Sequence, residues 1–311
     1  MKYSVVIPVY RNAETIPRLV LALTSMNRDL DGQMEAVFVV DGSPDQSFAL
    51  LREHIERLDF PAQLLVHARN FGSFPAIRTG LRAARGDYFG VMAADLQEPP
   101  ELLVAFFKAL AADECDVAIG TRDARADPAS SRLASSLFWG MYRKLVVPEM
   151  PPGGVDVFGC NMVFRDQLLA LEESRSSLIA LIFWLGFRRK LVGYERLVRQ
   201  EGKSSWTLSK KIDYMMDSIF AFTDYPIRLL MRIGALGSAV SLAVAFMVVM
   251  ARLLGFITVP GYAATMLAVL VLGALNLLGL GLVGTYAWRA YENSKQRPLA
   301  VVAVTLTNKV N

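Results

Sequence analysis

Five short β-branched runs, each followed by an amphipathic stretch, predict a mainly parallel α/β domain over the first two thirds of the chain. A long uncharged tract near the end predicts a two-helix membrane hairpin behind it. The charge distribution separates the two parts. From Ile233 to Trp288, fifty-six residues, the one charged side chain is Arg252, and the remaining 255 residues are about 24% charged, as in an ordinary soluble domain.

The strands are read in order from SVVIPV, AVFVV, LLVH, DYFGVMAAD and DVAIG. Helices follow from about Ala13, from Pro44 and from about Ser73. Strands separated by helices require crossover connections, which make the sheet parallel, and functional groups then gather beyond the carboxyl ends of the strands. Those ends are polar: Pro8 and Tyr10 after the first, Asp41 after the second, Arg69 and Asn70 after the third, Asp95 and Gln97 after the fourth, Thr121 and Arg122 after the fifth. The Pro/Gly stretch Val147 to Asp156 reads as a long loop, and Val155 to about Arg199 is expected to complete the sheet.

Residues 204–232 mix aromatics and methionines with Lys210, Lys211 and Arg228, a pattern that suits amphipathic helices lying in a membrane interface; covering the sheet is the plainer use of the same pattern. Ile233 to Ala251 supplies nineteen uncharged residues, enough at about 1.5 Å each to cross a hydrocarbon core of about 30 Å. Pro260 and Gly261 make a turn, and Tyr262 to Trp288 supplies a second crossing. Lys203, Lys210, Lys211, Arg228 and Arg232 precede the pair and Arg289, Lys295 and Arg297 follow it, so both termini are expected in the cytoplasm with residues 289–311 as a tail. A cleavable signal is not expected, because the apolar start runs directly into Arg11.

Composition also narrows the chemistry. A net charge of +4 and a mean hydropathy of +0.35 disfavour disorder and a polyelectrolyte that binds nucleic acid. Cys115 and Cys160 are too few and too far apart for a disulfide framework and are expected as free buried thiols. With His54 and His67 as the two histidines, neither a His-rich zinc site nor a Ser-His-Asp triad is expected. Carboxylates, arginines and a divalent metal remain. The G-x-G-x-x-G spacing at Gly279 to Gly284 lies inside an apolar span, where small residues serve helix packing rather than a dinucleotide.

Two motifs carry chemistry. DGSPD, Asp41 to Asp45, follows a strand; it reads equally as a turn with a helix cap and as a place where the Asp41 carboxylate accepts hydrogen bonds from a base or ribose. In ADLQEPPE, Ala94 to Glu101, a carboxylate and an amide oxygen two residues apart offer Mg²⁺ or Mn²⁺ two hard ligands, the rest of the shell coming from diphosphate and water. Arg122, Arg125, Arg132 and Arg199 are solvated charge in the plain reading and bidentate phosphate ligands if they converge on the same crevice.

SVVIPVYRNAETI, VVDGSPD, RNFGSFPAIRTGL, GDYFGVMAADLQEPPE, GTR, GKSSW and NLLGLGLVGTYAWRAYENSKQRPL together resemble the family 2 glycosyltransferases of the polyprenyl-phosphate type, the branch that includes dolichol-phosphate mannose synthase. The resemblance covers nearly the whole chain. It implies a GT-A fold with interfacial helices and a transmembrane hairpin, a divalent metal, and inverting transfer from a UDP- or GDP-linked sugar to a polyprenyl phosphate at the inner (plasma) membrane, by a homo-oligomer. Carried over by position, Pro8, Tyr10, Glu14, Asp41, Asn70 and Gly72 match nucleotide-binding positions, and Asp95 and Gln97 match metal ligands. Arg122, Arg132 and Ser136 match an acceptor-phosphate clamp, Arg199 and Lys203 match basic positions that meet phosphates, and Asp156 stands at an active-site acid. The catalytic set so implied is Asp95, Asp156 and Arg199.

Three positions depart from the family pattern. The metal motif reads Ala93-Ala94-Asp95 and lacks its first carboxylate, the acid pair before Gly-Ser reads Val40-Asp41, and the Asn-Glu after the opening tyrosine reads Arg11-Asn12. The sequence therefore leaves open a catalytically weakened paralogue or a membrane scaffold that binds a sugar nucleotide. A processive polysaccharide synthase is disfavoured by the absence of a Q-x-x-R-W motif and by two spans being too few for a channel.

Overall fold

The computed structural model describes residues 1–124, 140–144, 146–151, 155, 157–173, 176–197, 208–254 and 261–308. Arg125, Arg132, Ser136, Asp156, Arg199 and Lys203 lie outside the described residues. The chain divides into two compact units, Met1–Tyr214 with Arg297–Asn311, and Met215–Gln296.

The first unit is built on an eight-stranded sheet of order β7-β5-β6-β4-β1-β2-β3-β8. β1 (Tyr3–Val9), β2 (Met34–Val40) and β3 (Ala62–His67) are connected by α1 (Ile16–Asp29) and α2 (Ser47–Ile55), and α3 (Ser73–Ala83) then carries the chain back across β1 to β4 (Tyr88–Val91). α4 (Pro100–Ala111) leads to β5 (Val117–Ala124), followed by β6 (Phe158–Asn161), α5 (Met162–Ala170), α6 (Leu178–Trp184) and β7 (Arg189–Glu195). The pairs β1–β2, β1–β4, β2–β3 and β5–β7 are parallel, while β6 is antiparallel to both β4 and β5. Two reversals restore direction, so β1, β2, β3, β4, β5 and β7 all end at one edge. The strand order reverses between β1 and β4, and the crevice of an open α/β sheet opens at such a point.

β2 is buried along its entire length, as a central strand covered on both faces must be, and its MEAVFVV sequence is correspondingly unbroken in its apolar character apart from Glu35. Phe38, Phe89, Phe106, Phe107 and Phe164 are fully buried in the core. At about 25 cal/mol per Å² of apolar surface, such aromatics contribute most per residue to the burial that holds the layers together. Cys115 and Cys160 are free and buried, as expected, and burial pushes both thiols up.

Residues 289–311, expected as a tail, instead return to the sheet. After Arg297 the chain forms β8 (Val302–Thr307), antiparallel to β3, with Asn308 accepting from Ala62 N at 2.8 Å and donating to Phe60 O at 2.8 Å. The sheet thus contains strands from both ends of the sequence.

α7 (Leu208–Phe222) begins in the first unit, where the hydroxyl of Tyr214 lies 2.5 Å from Ser177 Oγ and its ring stacks on Tyr142. The second unit holds α8 (Tyr225–Leu253) and α9 (Tyr262–Ser294). α8 starts at Tyr225 and runs through Arg232 into the uncharged tract without a break. Along both helices large apolar side chains face outward, including Leu236, Phe246, Leu277 and Leu280. Among the described residues, Val271–Ser294 is the one stretch that meets the length and hydropathy of a membrane span. Within this unit Arg289 pairs with Asp217 at 2.6 Å and lies over the Phe220 ring.

Candidate active site

The crevice is assembled from loops that leave the carboxyl ends of the strands. After β1, the loop of Tyr10 to Thr15 donates its backbone N–H groups to side-chain oxygens of the DGSPD segment and of Ser47 just beyond it. Arg11 N donates to Ser43 Oγ at 2.8 Å, Asn12 N to Ser47 Oγ at 3.2 Å and Ala13 N to Asp45 Oδ2 at 3.0 Å. Asp45 Oδ1 accepts from Ser43 Oγ at 2.6 Å and from Ser47 N at 3.2 Å. Burial would raise the Asp45 carboxyl, but these bonds from Ser43, Ser47 and Ala13 outweigh it and hold it below the ordinary carboxylate range. On the other side, Thr15 Oγ1 donates to Ala94 O at 3.0 Å and joins this loop to the one after β4.

Asp41 is the second fastening point. Its side chain is 4% exposed. Oδ1 accepts from Phe71 N at 2.8 Å and from His67 Nδ1 at 2.8 Å, and Oδ2 accepts from Gly72 N at 2.7 Å. Three of its roughly four lone-pair positions are thus taken by the protein, so Asp41 holds the loop of Asn70 and Gly72 and has little left to offer a base or ribose. His67 Nε2 lies 3.0 Å from Thr79 Oγ1. Gly42 is obligatory here: its φ is +57°, and a Cβ would fall 2.3 Å from the Arg69 carbonyl carbon. Gly72, at φ +102°, makes the reversal before α3. Nothing in the spacing of the sequence pointed to His67, Thr79 or the Gly42 contact, because each depends on neighbours brought in by separate strands.

Pro8 and Tyr10 are half-buried at the end of β1, Glu14 and Asn70 are exposed, and Asn70 Nδ2 donates to Asp41 O at 3.3 Å. Arg11 stacks over Tyr10 and Arg69 over Phe71, at 5.4 and 4.1 Å from the ring centroids. Arg122 is half-buried near the end of β5, paired in register with Tyr194 of β7.

β4 ends at Val91, so Asp95 and Gln97 lie in a turn and not on an extended strand. The turn is shaped by Leu96, whose φ of +53° is a left-handed conformation, and by Gln97 N donating to Asp95 Oδ1 at 3.3 Å. A non-glycine residue held there costs about 1–3 kcal/mol, and Arg11 in the facing loop has φ +55°. Asp95 is half-buried and Gln97 is 9% exposed. Gln97 Oε1 accepts from Arg196 Nη2 at 2.5 Å, and Gln97 O accepts from Leu197 N at 2.9 Å.

Among the described residues no group of three or more His, Cys, Asp and Glu side chains could hold a metal ion. The oxygens that are present, a half-buried carboxylate and an amide oxygen with one further lone pair, fit an ion that draws the rest of its shell from diphosphate and water.

Residues 4–170 match the family described as "Glycosyl transferase family 2". The chain belongs to this family. It is a family 2 glycosyltransferase with a GT-A-like α/β fold and a mainly parallel sheet. The undecaprenyl-phosphate 4-deoxy-4-formamido-L-arabinose transferase of Pseudomonas fluorescens is 32% identical over 302 residues, covering 95% of this chain and 87% of the relative. The bactoprenol glucosyl transferase of Shigella phage SfV is 26% identical, covering 97% of this chain and 98% of the relative. Among solved structures, the mannosyltransferase PcManGT from Pyrobaculum calidifontis, in complex with GDP-Man and Mn2+, superposes with a TM-score of 0.45 at 17% identity, covering 90% of this chain and 87% of that one. The family places the opening strand, the DGSPD turn and the Asp95 turn within the glycosyltransferase domain.

Proposed function

We propose that this glycosyltransferase moves a sugar from a nucleotide sugar, UDP- or GDP-linked, to a polyprenyl phosphate, with inversion at the anomeric carbon, on the cytoplasmic face of a cell membrane. The observation that carries this reading is the extent of the match. Relatives named for undecaprenyl phosphate and bactoprenol align over 95–97% of the chain, the long apolar helices included, and not over the sheet domain alone.

In the reaction, an oxygen of the lipid phosphate attacks the anomeric carbon as the bond to the nucleoside diphosphate breaks on the opposite face. A phosphate monoester has a second pKa of about 6, so the nucleophile is already largely ionised near neutral pH and needs no strong base. Asp156 then orients groups instead of accepting a proton. Arg122, Arg132 and Ser136 hold the acceptor phosphate, with Arg199 and Lys203 meeting the diphosphate. The loops fixed by Asp41 and Asp45 seat the nucleoside against Pro8, Tyr10, Glu14, Asn70 and Gly72. Asp95 and Gln97 would hold a Mg²⁺ or Mn²⁺ ion, which when bound supplies positive charge to the departing diphosphate.

The helices give this chemistry its location. A polyprenyl tail leaves the bilayer at a cost of about 0.8 kcal/mol per CH₂, so the crevice must come to the lipid. α7 and the start of α8 act as interfacial helices, and the tracts Ile233–Ala251 and Tyr262–Trp288 act as two spans. The return of the chain to the sheet as β8 supports an even number of crossings, since β3 and β8 must share one side. A homo-oligomer is part of the proposal.

Purified full-length protein incubated with labelled nucleotide sugars and undecaprenyl or dolichyl phosphate tests the reading. It predicts label in a lipid-linked monosaccharide. Long polymer would indicate a synthase. Nucleotide binding without product would indicate the scaffold that Ala93, in place of a carboxylate, keeps as the second reading.

A further inference from the structure

Arg196 stands one residue beyond β7. Because β7 is parallel to β5, and β5 shares the direction of β1 and β4, Arg196 emerges at the edge of the sheet where Asp95 and Gln97 lie. It does not hang freely there. Nη2 donates to Gln97 Oε1 at 2.5 Å, and the next residue donates its backbone N–H to Gln97 O at 2.9 Å. Both oxygens of Gln97 are thereby tied to the end of β7, and the guanidinium is fixed against the turn that carries Asp95.

Two further facts distinguish Arg196 from a solvated surface arginine. Its Nε is buried and has no hydrogen-bond partner among the described residues. A buried N–H without an acceptor is unfavourable, so the site calls for an acceptor that none of the described residues provides. In addition, position 93 is alanine where the family motif has a carboxylate, which weakens the hold on a divalent ion and so leaves more of the diphosphate charge to be met by the protein's own cations. A guanidinium presents parallel N–H groups matched to two phosphate oxygens.

We propose that Arg196 is a diphosphate-binding residue: with Nη2 anchored on Gln97, its remaining N–H groups, Nε foremost, receive oxygens of the nucleoside diphosphate and supply part of the positive charge that a divalent ion held without a carboxylate at position 93 supplies less well. This rests on the nucleotide-sugar reading above. The phosphate of the lipid acceptor has the same chemistry, and the test separates the two.

The experiment is a calorimetric titration of the full-length protein in detergent with UDP, GDP and a short-chain polyprenyl phosphate, each in EDTA and in Mn²⁺. Variants are Arg196→Ala, Arg196→Lys and Gln97→Ala. Wild type is expected to keep measurable nucleotide affinity in EDTA. Arg196→Ala is expected to lose at least tenfold of it, Arg196→Lys to fall between because it keeps charge without the fork, and polyprenyl-phosphate affinity to stay within twofold. Should Arg196→Ala fail to fold, Arg196→Lys carries the test by the same comparison. Nucleotide affinity in EDTA unchanged by either substitution overturns the proposal, as does a loss confined to the polyprenyl phosphate. Wild type that binds neither nucleotide even in Mn²⁺ refutes the nucleotide-sugar reading itself, a result distinct from both.

Discussion

At the amino-terminal edge of the sheet the Glu35 carboxylate is 1% exposed and accepts from Ser4 Oγ, Gln63 Nε2 and Arg85 N at 2.6, 3.2 and 2.5 Å. At the carboxyl edge Asp95 is half-buried, beside a left-handed Leu96 and a glutamine tied to Arg196. Both are acidic groups next to the same parallel strands. The first is occupied by the protein and stabilises the fold, while the second is held in a strained turn at the crevice. Asp41 and Asp45 belong at the carboxyl edge by position but resemble Glu35 in behaviour, because they are occupied by backbone N–H groups. One wall of the crevice is therefore fastened by carboxylates that the protein itself occupies, and the other, after β4 and β7, holds Asp95 and the Gln97–Arg196 pair, to which the proposed function assigns the chemistry.

The largest effect expected from this contrast is on turnover. Asp95→Asn should lower the rate at saturating substrates by about 10²–10³-fold, the range seen when one electrostatic contact to a transition state is removed, with the unfolding midpoint nearly unchanged. Glu101→Gln, an exposed acid in the first turn of α4, should stay within twofold. Equal loss in both would erase the distinction between the walls.

Gly42→Ala should come next, through stability. The substitution places a Cβ against the backbone of Arg69 and Asn70 at a φ of +57°, and an expected cost of about 2–4 kcal/mol in denaturant unfolding includes both strain and the clash. The folded fraction should show a raised KM for the nucleotide sugar, because the displaced loop is that of Asn70 and Gly72.

Glu35→Gln sharpens the comparison from the other edge. The amide has lost one acceptor oxygen and leaves one of the three donors unsatisfied, for a loss of about 1–3 kcal/mol. Per folded molecule, kcat/KM should not change. A change in KM would mean that the two edges communicate.

The smallest effect concerns acid. Because the Asp45 carboxyl is held below its unfolded value, it contributes stability that is fully present above that value, 3.8 in the unperturbed group, and is lost as pH falls through the lower folded value. Asp45→Asn should flatten the stability curve below about pH 4 and leave the neutral region's slope unaltered.

Much of this arrangement is legible from residue order alone. The β-branched runs become β1 to β5 and the polar strand ends line one edge, because alternation of strand and helix leaves few topologies. The tail is different. Its run of valines and threonines, Val301 to Thr307, carries a strand signal, but its pairing with β3 spans more than 230 residues of sequence and no local pattern specifies such a partner. Asp41 illustrates the same limit at the site. The carboxylate stands where a nucleotide ligand is expected, yet which of its lone pairs remain depends on Phe71, Gly72 and His67 arriving from another strand and loop. Arg196 lacked any signal beyond being an arginine three residues before Arg199. Its tether to Gln97 exists because β7 runs beside β5.

A crystal structure of the full-length protein with nucleoside diphosphate and Mn²⁺, with the metal located by its anomalous signal, tests the division of labour most directly. The account predicts the anomalous peak at the Asp95 carboxylate, with the diphosphate lying between the loops that follow β1 and β4. A diphosphate seated away from the β4 turn, with Asp95 directed into the core, would contradict it.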